Sequence, residues 1–434
     1  MGIGKSVQSS HNQGLDGYDS PALMTNVKKS PRPSNLLPIR ESQARLERPM
    51  TGFGLWRLGF RPFYLGAAFF AATAIMLWLG ILFGHASMPG TLNPLYWHAH
   101  EMVFGFALAV IAGFLLTASN NWTGILPAAG LPLAALFALW AAARLALLSG
   151  HLTLAAACDL AFIVMLSGLL CRVLYLARLW KNFTILGMVV LMGALNAWFY
   201  TILLREIPAN PLYPIELALL VIMQLLVVMG GRVIPMFTQN GVLGIRVWKP
   251  QILVPLTPLA TLLGIIGWLF APPHLASLAC FVAATVNLVR WLGWKPWRCL
   301  GQPMVWGLQL GYLWIPITFV CLGLESLGVV SRSLPIHALA VGAMGLIIAG
   351  MITRTAMGHT GRPILGSRIE TSMFALIAFS GVCRALAAIP VFQTPAITPV
   401  LLAISGTAWS VAFALYAYRY TPWLFRPRLD GKPG

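Results

Sequence analysis

Charged residues are scarce in this chain, and acidic residues are the scarcest. Of the 434 residues only 9% are charged, with 11 Asp and Glu against 29 Lys and Arg, while 58% are hydrophobic. Soluble domains carry roughly a quarter charged residues, so this composition excludes a soluble globular protein. The mean hydropathy of +0.79 indicates an all-α, polytopic membrane protein, in which helices satisfy the backbone polar groups.

Cysteine pairs and the common catalytic motifs are also missing. None of the six cysteines forms a CxxC pair, and most lie inside apolar runs, which favours small buried hydrophobes over a disulfide framework or a zinc site. There is no phosphate-binding loop, no dinucleotide-binding glycine motif and no Ser/His/Asp order. Residues 1–58 lack the apolar stretch of a signal peptide, and their polar, Ser- and Pro-rich composition predicts a basic, disordered cytoplasmic tail.

Long apolar runs, in contrast, recur along the rest of the chain. Stretches of about 20 apolar residues, enough to cross a bilayer, can be placed twelve times. They predict a twelve-helix membrane domain over 59–420 and a short cytoplasmic tail over 421–434. The predicted spans are 60–82, 97–118, 131–149, 152–172, 183–204, 214–236, 251–271, 274–291, 305–325, 335–357, 371–390 and 397–418.

The basic residues follow the order of these spans. With the N-terminus in the cytoplasm, all but four of the 29 Lys and Arg residues fall on the inner side, as the positive-inside rule requires. The pattern predicts a multi-pass membrane protein with both termini in the cytoplasm. It leaves no basic stripe for nucleic acid. The four exceptions are Arg144, Arg205, Arg332 and Arg384.

A weak three-fold repeat accompanies this topology. The second, sixth and tenth spans end in similar Gly- and Thr-containing segments that start at Gly113, Gly231 and Gly350. Each interval holds four spans, so the pattern indicates three four-helix pseudo-repeats, and internal repeats are frequent in membrane folds.

Ionisable groups at the start of the second span are the strongest candidates for a site. The run WHAHEM places His98, His100 and Glu101 where an apolar segment begins, and such groups are costly in a membrane unless they bind something. Residues two apart on a helix point about 200° apart, so the two histidines face different ligands. The two histidines can bind the same ligand only if the helix begins near Ala99. A polar helix cap is the alternative.

A further histidine lies at the same depth. His337 begins the tenth span, and two imidazoles from facing helices can hold a haem iron axially. We therefore expect His98 or His100 to pair with His337, the other second-span histidine being free for copper or a second haem. An interfacial histidine without a ligand is the alternative.

Other polar groups suggest further contacts. Asp159 lies deep in the fourth span, and Arg144 on the preceding span is its expected ion-pair partner across a short hairpin. Glu216 lies at the depth of His98 and is a candidate for a metal or proton path. At the inner face, basic side chains form a candidate site for haem propionates, lipid phosphates or a second metal; these are Arg61, Arg232, His359 and Arg362.

Several multi-residue motifs occur in order over residues 57–365. They are FRPF at 60–63, WHAHEM at 97–102 followed by FGF at 104–106, AGFLLT at 112–117, NWTG at 121–124, GGRVIPMFT at 230–238 and MGHTGR at 357–362. In these motifs the chain resembles the NnrS family. The resemblance implies a twelve-helix bacterial inner-membrane protein that contains haem and copper and is linked to nitric oxide metabolism and to protection against nitrosative stress.

Twelve spans with histidines on the second and tenth also look like the catalytic subunit of haem–copper oxidases and nitric oxide reductases, in which these two spans supply haem ligands. The resemblance has a clear departure. In that superfamily the copper ligands are histidines of spans six and seven, and here those spans have none. The second tenth-span histidine is also missing, because position 339 is Leu. A standard binuclear centre is therefore not expected.

The leading hypothesis is thus a haem- and copper-binding membrane protein of the nitric oxide response. Its expected partners are the lipid bilayer, nitric oxide or a related small nitrogen species, and an electron donor. Glu101 would orient a ligating histidine. Two alternatives stay open: a secondary transporter without a redox cofactor, and a sensor or metal-binding protein that does not turn over.

Overall fold

Twelve long apolar helices lie within the part of the chain that the structure describes. The computed structural model describes residues 52–88, 90 and 92–432, so the predicted tail lies outside the described residues up to residue 51, as does His11. The predicted number of spans is confirmed, and each predicted span overlaps one helix. The helices are α1 (Phe60–Leu82), α2 (Pro94–Thr123), α3 (Leu131–Leu148), α4 (Leu152–Leu176), α5 (Trp180–Leu204), α6 (Leu212–Gly241), α7 (Leu253–Phe270), α8 (Pro273–Arg298), α9 (Pro303–Ser326), α10 (Ser333–His359), α11 (Arg368–Leu386) and α12 (Ile397–Phe425).

The two spans that carry the candidate histidines lie at the centre of the bundle. In their most apolar stretches, 83% of α2 and 72% of α10 are buried inside the protein, against 28% of α7. Lipid-facing helices need not bury their apolar faces in protein, so this contrast separates inner from outer helices. Neighbouring spans pack as hairpins, notably α3 with α4 and α7 with α8, while α12 packs against both α11 and α1.

Local sequence sets where these inner helices begin. Pro94 occupies the first turn of α2, where its missing N–H costs nothing, and the side chain of Asn93 accepts a hydrogen bond from the Leu95 N–H. At α11 the side chains of Ser367 and Glu370 form a reciprocal capping box. Because α2 begins at Pro94, both His98 and His100 lie within the helix, and the condition for a ligand shared by the two, a helix start near Ala99, is not met.

Both helices that carry the candidate haem ligands, α2 and α10, contain a π-helical stretch. In α2 it spans Glu101–Ala107 and in α10 Ala338–Gly345. Each begins directly after a histidine, His100 in one helix and His337 in the other. By contrast, α6, the third member of the predicted repeat, is α-helical throughout, with Pro235 inside it.

Candidate functional site

A cavity of about 520 Å³ lies between the central and outer helices, within the size range of ligand pockets. Its walls come from α1, α2, α6, α10, α11 and α12, and they are mostly aliphatic and aromatic. His98 of α2 and His337 of α10 both line it. The structure therefore brings together two of the three predicted outer histidines.

The ring of His98 is held by an aromatic neighbour. It stacks on the indole of Trp78 near the end of α1, with ring centroids 4.5 Å apart and planes 11° from parallel. Both residues line the cavity. Stacking restricts the rotation of the imidazole without using its ring nitrogens.

His337 has one ring nitrogen fixed by the backbone. Its Nδ1 lies 2.8 Å from the main-chain oxygen of Ser333, one turn earlier. A carbonyl oxygen only accepts hydrogen bonds, so Nδ1 carries the proton and Nε2 keeps its lone pair. This is the usual arrangement of a metal-ligating histidine. Arg384 of α11, which also lines the cavity, donates to the Ser333 hydroxyl at 3.0 Å.

His100 lies outside this cavity and is fully buried. Its Nδ1 is 3.1 Å from Glu101 Oε1 and its Nε2 is 2.9 Å from Asn196 Oδ1. The ring also stacks on Phe199, at 4.6 Å between centroids. Since both nitrogens have partners, neither is free for a ligand in this arrangement.

The surroundings of His100 form a buried polar cluster of six side chains. Arg144 bridges the two carboxylates, donating to Glu101 Oε1 at 2.7 Å and to Asp159 Oδ1. The Tyr200 hydroxyl donates to Asp159 Oδ2 at 2.7 Å. The predicted Arg144–Asp159 pair is confirmed. We call this set the Arg144 cluster: His100, Glu101, Arg144, Asp159, Asn196 and Tyr200.

The π-helical stretch of α2 connects the cluster to the neighbouring hairpin. Glu101 begins this stretch, and the Gly105 carbonyl within it accepts a hydrogen bond of 2.9 Å from the Trp140 indole of α3. The start of α2 is thus tied to α3 by both Arg144 and Trp140. These contacts hold the helix face that carries His98 toward the cavity.

One edge of the cavity is closed by an ion pair. Arg332 donates to Glu216 through two nitrogens, the closer at 2.6 Å, and both residues line the cavity. The Arg332 guanidinium also lies 4.7 Å from the Trp268 ring, and Trp268 donates to Glu325 at 2.8 Å. Glu216 is therefore at the depth of His98 as predicted, and its partner is an arginine.

The predicted inner-face residues lie at the other end of the bundle. Arg61 is fourteen residues before Ile75, the first residue of α1 that lines the cavity. Fourteen residues span about 20 Å along a helix. Arg61 is buried and donates to the carbonyls of Leu424 and Arg426 at 2.8 Å each. The His359 ring lies 5.5 Å from that of Phe60. Arg362 lies over the Trp423 ring, and Arg232 is exposed.

No site with three metal-ligating side chains is found within residues 52–88, 90 and 92–432. Over these ranges, no three His, Cys, Asp or Glu residues converge where an ion could bind. The lining of the cavity suits a haem, because two imidazoles, a guanidinium and apolar walls are what its iron, its propionates and its ring require.

Four residues of these sites were not singled out from the sequence. Trp78 and Arg384 belong to the cavity, and Asn196 and Tyr200 to the Arg144 cluster. The last two had a readable signal, since they are polar residues four apart on an apolar span and so share one helix face. No signal in the sequence identified Trp78 as a cavity residue, because tryptophan is common at membrane interfaces.

Fold and cavity together define a class: a multi-pass, all-α membrane protein with twelve spans and a histidine-lined cavity inside the bundle. The chain belongs to the NnrS family, whose profile, described as NnrS protein, matches residues 54–428, a range that includes all twelve helices. Membership makes it a membrane protein of the nitric oxide response. A comparison with curated proteins gave no match.

Proposed function

We propose that the protein binds haem in the 520 Å³ cavity, where His98 and His337 would hold its iron, and acts on nitric oxide or a related nitrogen species. The observation that carries this proposal is that imidazoles from two central helices line one apolar cavity. Of the histidines expected to ligate haem, these two have the position and the open ring nitrogen that the role needs. A bound haem would supply an iron that binds nitric oxide once one of these two histidines has been displaced.

The residues of the cavity wall have separate tasks in this proposal. The Ser333 carbonyl holds the His337 tautomer that leaves Nε2 unprotonated, and Trp78 fixes the plane of the His98 ring. Arg384 is placed to pair with a propionate carboxylate, since its guanidinium lines an otherwise apolar cavity. The aliphatic walls exclude water, which strengthens each polar contact inside.

The contacts of the Arg144 cluster also support this proposal. The cluster occupies both ring nitrogens of His100, which supports ligation by His98 and not by His100. Glu101, predicted to orient a ligating histidine, contacts His100 and Arg144 instead of His98. Its role in the proposal is to anchor the helix that presents His98.

The location and partners that we propose are based on the predicted topology and on the family. We place the protein in a bacterial inner membrane with both termini in the cytoplasm, which puts the cavity in the outer half of the bilayer. Turnover of nitric oxide would need an electron donor. Copper stays a prediction from the family resemblance, and we propose no residues for it.

An optical spectrum of the detergent-purified protein tests the proposal. We expect a Soret band in the wild type that shifts when nitric oxide is added. His98→Ala and His337→Ala should each lose most of the band. The control is His151→Ala, which removes an exposed loop histidine and should leave it unchanged. Full haem content in both cavity variants would refute the ligand assignment, and a colourless wild type from haem-supplemented cells would favour the transporter alternative.

A further inference from the structure

Three separate segments meet at the basic end of the bundle, opposite the cavity. The Gly54 N–H donates to the Phe425 carbonyl at 2.8 Å, and the Leu429 N–H donates to the Thr360 carbonyl at 3.2 Å. The segment before α1 and the loop after α10 are therefore both bound to the end of α12. Each of the three segments brings arginines to this junction.

These arginines are gathered within interaction range of one another. The charge of Arg61 interacts with those of Arg57, Arg362 and Arg428, and Arg362 interacts also with Arg426 and Arg419. Among the described residues, two carboxylates lie beside them: Glu370, 3.7 Å from Arg419, and Asp430, 2.7 Å from Arg428. Arg362 and Arg426 add positive charge next to these two pairs. We call this set of six arginines the arginine junction.

Two of the arginines share a single aromatic ring. The guanidinium of Arg362 lies 4.4 Å and that of Arg419 4.5 Å from the centroid of the Trp423 ring. Both are only partly exposed, so they are held at the surface instead of extending into solvent. Burial and the charges of Arg426 and Arg419 lower the pKa of Arg362, and an anion bound between these groups would relieve that repulsion.

Apolar side chains around the junction are exposed. Phe53 packs edge-on against Phe425, with centroids 5.3 Å apart, and both remain accessible, as do Tyr418 and Leu365. Aromatic residues at this level of a membrane protein lie where headgroups meet acyl chains. The cationic site therefore lies next to a surface suited to lipid tails, which favours a lipid over a free anion as the source of phosphate.

We propose that the arginine junction is a binding site for the phosphate of an anionic phospholipid headgroup, held by Arg362 and Arg419, which both contact Trp423. Basic pockets at the cytoplasmic ends of membrane helices suit such headgroups. Bound lipid would tie the N-terminal segment, the α10–α11 loop and the C-terminal end to one another. The proposal is independent of haem, and its test needs none.

Native mass spectrometry of the full-length protein, titrated with phosphatidylglycerol, phosphatidylcholine or inorganic phosphate, tests this site. We expect the wild type to bind phosphatidylglycerol most tightly. The double variant Arg362→Gln/Arg419→Gln should bind it roughly 25-fold more weakly, at about five-fold per basic residue. The matched control is Arg246→Gln/Arg298→Gln, which removes the same charge from two exposed arginines outside the junction and should keep wild-type affinity.

The outcomes separate the sources of the anion. Equal affinity of the junction variant and the control for phosphatidylglycerol would overturn the proposal. So would wild-type binding of inorganic phosphate as tight as that of the lipid, since the site would then serve a free anion. If the double variant does not fold, Arg362→Lys/Arg419→Lys keeps the charges and should retain most of the affinity, and Trp423→Leu should lower it.

Discussion

His98 and His100 are separated by one residue on α2 and lie in unrelated surroundings. His98 lines an apolar cavity and stacks on Trp78, whereas His100 is enclosed by Glu101 and Asn196. The helix geometry that puts side chains two apart on opposite faces thus divides one short motif between a ligand cavity and a structural cluster.

The first prediction compares the effect of the same substitution at each of these two histidines. His98→Gln should lose most of the Soret band, because glutamine offers no imidazole nitrogen to the cavity. His100→Gln should keep the band, since its side chain lies outside the cavity. Haem content per protein, measured by the pyridine haemochrome assay, checks this. A reversal of the two results would assign ligation to His100.

A second prediction concerns the fixed tautomer of His337. His337→Gly leaves a gap at the Nε2 position beside an intact Ser333 carbonyl. Added imidazole should fill the gap, donate to the same carbonyl and restore the Soret band. Titration with imidazole, followed optically, measures the rescue. If N-methylimidazole, which cannot donate to Ser333, restored the band equally well, the hydrogen bond would have no part in placing the ligand.

A third prediction addresses the stability of the Arg144 cluster. Arg144→Met leaves Glu101 and Asp159 buried without their shared cation, and breaking such a buried pair costs about 3–5 kcal/mol. We expect the midpoint of chemical denaturation in detergent to fall accordingly. Arg205→Met, at an exposed position, should change stability by less than about 0.5 kcal/mol. Similar midpoints for the two variants would show that the ion pairs contribute little.

A fourth prediction tests the packing of the π-helical stretch in α10. A Cβ added at Gly342 would collide with the Trp314 ring, so Gly342→Ala should destabilise the protein by about 1–3 kcal/mol through overpacking. Gly168→Ala is the control, because a Cβ there meets no atom within 4 Å and alanine is the better helix former. Thermal unfolding of both variants gives the comparison. Equal melting temperatures would contradict the packing assignment.

Much of the fold was predictable because the apolar runs and the basic residues follow one another along the sequence in the same order as the helices. Apolar runs of bilayer length and the sidedness of arginine and lysine set the number of helices, and all twelve are confirmed. The Arg144–Asp159 pair was predictable for the same reason, since a short hairpin brings neighbouring spans together. The partners of His98 and His337 depend on which helices pack across the bundle. Nothing in the linear pattern specifies that α1 brings Trp78, or α11 brings Arg384, to the cavity.

The π-helical stretches were not predictable, because no periodicity in the apolar pattern distinguishes them. Residues 101–107 and 338–345 read as ordinary membrane helix, and the difference lies in which carbonyl each N–H reaches. In α2 the external partner of that stretch, Trp140, is on another span. Tertiary contacts of this kind decide the backbone geometry after the helices have packed.

The π-helical stretches change which side chains share a face of α2 and of α10. A π-helical turn holds more residues than an α-helical one, so the chain beyond it is rotated relative to the chain before it. The histidine that precedes each stretch and the Gly- and Thr-rich segment that follows it are therefore out of phase with a regular helical wheel. Each stretch accommodates extra length within its helix, so deleting a single residue from 101–107 or 338–345 should return the turn to α-helical geometry while the flanking side chains keep the faces they now present.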